Sequence, residues 1–103
     1  MAINVKYNDY NGSDQDIIID GCRLICTSSA CPEQYDVFDN QTGTQLGYLR
    51  LRHGNFRADY LDCGGETVYA AKPTGDGMFN EDERLDYLNK AVAALLKRHK
   101  ANG

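Results

Sequence analysis

The chain has no tryptophan and only two histidines. No apolar run is long enough to cross a bilayer as a helix. The start, Met1-Ala2-Ile3-Asn4, lacks the basic stretch and apolar core of a secretory leader, and the C-terminus carries no prenylation signal. These absences place the expected protein in the cytoplasm, away from membranes. Catalytic signatures are missing too. There is no Gly-x-Ser-x-Gly elbow and no His-Glu-x-x-His pair. Gly64-Gly65 lacks the lysine of a phosphate loop and does not open a helix. His53 and Cys63 would sit at opposite ends of one strand, so they make a poor nucleophile and base. The chain reads as a non-enzyme that needs no cofactor.

Metal sites are equally hard to assemble. The four cysteines are Cys22, Cys26, Cys31 and Cys63. Without export, disulfides are not expected, and unpaired cysteine usually packs in a core. A zinc site prefers two close knuckles, each a pair of cysteines separated by two to four residues. Cys22 and Cys26 have a permitted gap but lie in a strand pattern, and Cys63 has only His53 to recruit. Structural zinc is thus an alternative reading, not the main one. The polar cluster Asp9, Asn11, Ser13, Asp14 and Asp16 suggests calcium. It fails the loop rule of Gly at the sixth position and Glu at the twelfth, where Asp14 and Asp20 stand.

What is present is a clear order of periods. The chain's 103 residues and 42% hydrophobic content suit one globular domain, residues 1–103. No repeat, low-complexity stretch or long linker divides it. Apolar and polar residues alternate from residue 3 to about residue 72, and a single helical period, residues 80–99, follows. This predicts an α+β fold: an antiparallel sheet of about six strands in two meanders, with one amphipathic C-terminal helix packed on one face.

Turn chemistry sharpens the prediction. A loop over residues 11–13 aligns Val5 with Ile19 and Tyr7 with Ile17, collecting apolar residues on one face. Asp20-Gly21 suits a two-residue hairpin turn and pairs Ile19 with Cys22 and Ile17 with Leu24. Residues 27–33 read as a connection between the meanders. Strands follow at 34–39, 45–52, 55–61 and 66–72. Asn80 and Glu83 form a capping box. Leu85, Leu88, Ala91, Val92, Leu95 and Leu96 make one stripe, and Phe79 and Met78 are expected to dock just before the cap.

The His53-Gly54 turn makes the most specific forecast. It sets Leu51 opposite Phe56 and Leu49 opposite Ala58 on the core face. The other face then carries Tyr48, Arg50, Arg52, Asn55, Arg57 and Asp59, with Arg50 directly across from Arg57. Facing like charges disfavour each other by some tenths of a kcal/mol, roughly. Asp59, Asp36, a ligand anion or an acidic partner must offset this. Arginine and tyrosine are also the residues of interaction hot spots, with Tyr48 and Tyr10 the tyrosines expected at the surface.

Net charge is −4, concentrated early. Seven acids up to Asn40 stand against Lys6 and Arg23. That layout disfavours nucleic acid and favours a protein partner with a basic surface, met through Asp14 and Asp16. The leading expectation is a small protein-binding or regulatory module, an inhibitor of the kind phages and mobile elements often encode. The alternative is a single-stranded RNA binder using Tyr48, Arg50, Arg52 and Arg57.

Overall fold

A computed structural model describes residues 16–29 and 32–102. The strand expected over residues 3–7, and its register with Ile17 and Ile19, lie outside that range, as does Tyr10. Six strands run in chain order across one antiparallel sheet: β1 (Asp16–Ile19), β2 (Cys22–Ser29), β3 (Glu33–Asp39), β4 (Gln45–Arg52), β5 (Asn55–Tyr60) and β6 (Thr67–Ala71). One helix, α1 (Glu81–Asn102), follows and packs against β4, β5 and β6. The α+β architecture is as the alternation of periods requires.

Both tight turns behave as their residues dictate. Asp20 and Gly21 take φ of 50° and 80°, and His53 and Gly54 take 55° and 73°. Two successive positive φ values are the backbone of a type I′ turn, whose twist matches the flanking strands. The registers follow: Ile19 faces Cys22 and Ile17 faces Leu24, while Leu51 faces Phe56, Leu49 faces Ala58 and Arg50 faces Arg57.

The connection expected over residues 27–33 is much shorter. β2 continues to Ser29 and β3 already begins at Glu33. A register shift between Cys26 and Ser28 absorbs the mismatch, so the two meanders merge into one sheet. A bulge of this kind leaves one residue unpaired without ending the ladder.

The covered face holds Ile17, Ile19, Leu24, Val37, Leu49, Leu51, Phe56 and Ala58, all at most 2% exposed. Leu88, Ala91, Val92 and Leu95 of α1 close over it, each 0% exposed, with Leu85 and Leu96 packed at the flanks. Gly47 is where sheet and helix come closest. A Cβ there would lie 2.6 Å from both methyls of Leu95 and 3.0 Å from the Asp59 carbonyl. Phe79 enters the core, its ring 4.9 Å from that of Phe56. Met78 does not dock; it is 41% exposed, because the chain turns inward only at the next residue.

Residues 73–80 form a strap that ties three elements together. Gly54 N donates to Asp76 O (2.7 Å) and Glu33 N donates to Gly77 O (2.9 Å). Phe79 N donates to Glu33 Oε1 at 3.0 Å. At the helix start, Glu83 Oε2 accepts from Asn80 N (3.0 Å) and Gly75 N (2.7 Å), and Oε1 accepts from Thr74 N (2.9 Å). Partial burial alone would raise the Glu83 carboxyl's pKa, but the donors at Asn80, Gly75 and Thr74 outweigh it and hold it below its ordinary value. The capping box therefore does more than close the helix: its glutamate also fastens the strap. Gly75 is required there, since a Cβ would meet the Met78 carbonyl at 2.0 Å.

Candidate anion-binding face

Because side chains alternate along a strand, the residues between those core positions form a second face, away from α1. Its centre is the β4–β5 pair. Arg50 and Arg57 are direct cross-strand partners, and Arg52 pairs with Asn55 beside them. With His53 these residues line an open pocket of about 260 Å³. Among the described residues no carboxylate lines it.

The two facing arginines are handled differently. Arg57 Nε donates to Asp59 Oδ2 at 3.1 Å. Asp59 is itself 1% exposed and is a structural anchor. Its Oδ2 also accepts from Gly64 N at 3.1 Å, and its Oδ1 accepts from Thr67 Oγ1 at 2.8 Å. Arg50 has no such neighbour. Its Nε is buried and has no hydrogen-bond acceptor among the described residues. A buried donor without an acceptor forfeits its hydration and gains nothing in return. At the rim, Lys72 Nζ donates to Asn55 Oδ1 (3.0 Å) and Asn55 Nδ2 donates to the His53 carbonyl (3.2 Å). Those contacts fix the asparagine and add a fourth cation to the edge.

Tyr48 shares this face but is not a surface residue. It is only 9% exposed, and its hydroxyl donates to Gln34 Oε1 at 2.8 Å. Burial, then the neighbouring Cys63, push its phenol pKa up, opposed in part by Arg50 and Arg57. The reason is the loop after β5. Residues 61–65 are drawn back by Asp59, which binds Gly64 N, and this brings Cys63 beside Tyr48. Leu61 turns that corner at φ 76°, a conformation bulky residues rarely adopt. The expectation that Tyr48 stands exposed is therefore corrected.

The remaining sequence candidates among the described residues do not join this site. Asp14 lies outside the described residues, and Asp16 opens β1, in register with Ile25. Cys22 and Cys26 belong to the helix-covered side, while Cys63 lies on the loop over the opposite face, so the strand cysteines and Cys63 are not brought together. Cys31 lies outside the described residues. Burial, with Asp39 and Asp20 nearby, pushes the Cys22 thiol up to about 11, and burial followed by Glu33 raises that of Cys26. Cys63 is exposed. Of these three, a mild alkylating agent at slightly alkaline pH should label Cys63 first in the native protein, as peptide mass spectrometry would show. Equal labelling of Cys22 would contradict the core placement.

One prominent charged group, Glu33, has no local signal in the sequence. Glu33 is 2% exposed, yet it accepts from Arg84 Nε (2.8 Å), Arg84 Nη2 (3.1 Å), Tyr35 Oη (2.5 Å) and Phe79 N. All of its oxygen capacity is spent on holding β3, the strap and α1 together, so it is structural and not part of the pocket. Among the described residues no helix is long and apolar enough to cross a membrane. Compared with protein-family models, curated proteins and solved structures, the chain finds no match.

Proposed function

We propose that this protein is a non-catalytic binding module that holds an anionic group of a protein partner on its open sheet face, with Arg50 as the central contact. The observation that supports this reading is the buried Arg50 Nε in a pocket lined by three arginines, with no acceptor for that nitrogen and no acid in the lining among the described residues. Asp59 offsets the cross-strand repulsion on the Arg57 side, and an anion at Arg50 would offset the remainder. Single-stranded RNA is the weaker reading. Base stacking needs an exposed aromatic plane, and Tyr48 is buried and hydrogen-bonded.

The test is titration calorimetry with a short aspartate- and glutamate-rich peptide. At low salt the wild type should bind, more weakly as salt rises. Arg50→Ala should weaken binding about tenfold or more, as truncating one side of a desolvated charge pair does. Lys97→Ala, on the exposed side of α1, should leave it unchanged. No binding by wild type, or equal losses in both variants, would overturn the proposal.

A further inference from the structure

The charge balance of the pocket narrows the kind of anion. Arg57 shares its charge with Asp59. Arg50 and Arg52 have no ion pair among the described residues, and Lys72 adds a cation at the rim through Asn55. Two guanidinium groups without an ion pair among the described residues suit an occupant with two negative charges. A carboxylate brings one charge and two oxygens. A phosphate monoester brings about −1.5 to −2 and three terminal oxygens, and arginine's planar fork of donors fits such oxygens in pairs. The pocket's size agrees. About 260 Å³, open on a sheet face, admits a terminal group and its stem. Among the described residues no tyrosine or phenylalanine ring lines it for a base to stack on.

We infer that the preferred occupant is a phosphate monoester on a protein partner, held between Arg50 and Arg52 with Arg57 closing the third side. This rests on the anion-binding reading above and makes it more specific.

The experiment uses one neutral peptide scaffold in four forms carrying serine, aspartate, phosphoserine or O-methyl-phosphoserine, with inorganic phosphate as a fifth probe. Binding is followed by calorimetry and by amide shifts of β4 and β5 in the full chain. The phosphoserine form should bind about tenfold or more tightly than the aspartate and methyl-diester forms, the serine form should not bind, and inorganic phosphate should bind more weakly than the phosphopeptide. Arg52→Ala should erase the preference for phosphoserine over aspartate. Equal binding of phosphoserine and aspartate forms would overturn this inference while leaving an anion-binding module standing. Equal binding of the methyl diester would overturn it by showing that one charge suffices. Inorganic phosphate binding as tightly as the phosphopeptide would replace the protein partner with the free ion. Silence from every probe, including the acidic peptide, would remove both readings.

Discussion

Glu33→Ala is expected to cost the fold about 3–5 kcal/mol, the range for removing one partner of a buried ion pair. The physical reason is the company left behind. Arg84 has 13% side-chain exposure and would lose the carboxylate that accepts from both its Nε and its Nη2. The Tyr35 hydroxyl and Phe79 N would lose their acceptor in the same step. Since Glu33 N also meets the strap at Gly77, the helix start and the edge of β3 should loosen together. Urea unfolding is the measurement, with the midpoint falling in proportion to the lost stability. The double variant Glu33→Leu with Arg84→Met should recover part of the loss, because replacing both charges removes the desolvation cost of the remaining cation. A single variant as stable as wild type would show that the pair is not desolvated in solution.

The second large effect lies where helix meets sheet. Leu95→Ala should destabilise by about 2–5 kcal/mol through lost burial and the cavity left behind. Gly47→Ala should cost about 1–3 kcal/mol for the opposite reason, overpacking, since its new methyl would sit 2.6 Å from the Leu95 methyls. Combined, the two changes should cost less than their sum, because the alanine at 47 occupies space that Leu95 vacates. Contacting residues typically couple by about 0.5–3 kcal/mol. Additivity within error, read from thermal or urea unfolding of all four proteins, would mean that Leu95 does not rest on Gly47.

Much of this arrangement is legible in the chain itself, for a local reason. Asp20-Gly21 and His53-Gly54 are turns whose residues tolerate positive φ, and a two-residue turn leaves only one register. Once Leu49 and Leu51 are assigned inward, Arg50 must face outward across from Arg57. The helix stripe is likewise carried by spacing alone. What escapes such reasoning depends on distant partners. Glu33 reads as part of a polar connection because nothing nearby announces Arg84, 51 positions away. Tyr48 reads as exposed because its cover, residues 61–65, is pulled into place by Asp59, whose burial no local pattern reveals. The pocket's positions are foreseeable, whereas the imbalance within it, Arg57 paired and Arg50 without an acceptor among the described residues, is a matter of tertiary distance.

The bond from Gly54 N to Asp76 O has a consequence for recognition. A hairpin tip usually swings, and a ligand that gathers a swinging tip loses affinity to the ordering it imposes. Here the tip is moored to a strap that Glu33 and Glu83 fasten to the body of the protein. On the binding role proposed above, the backbone beneath the arginines would already be ordered before a guest arrives. A mooring of that kind would favour discrimination by shape and charge over accommodation.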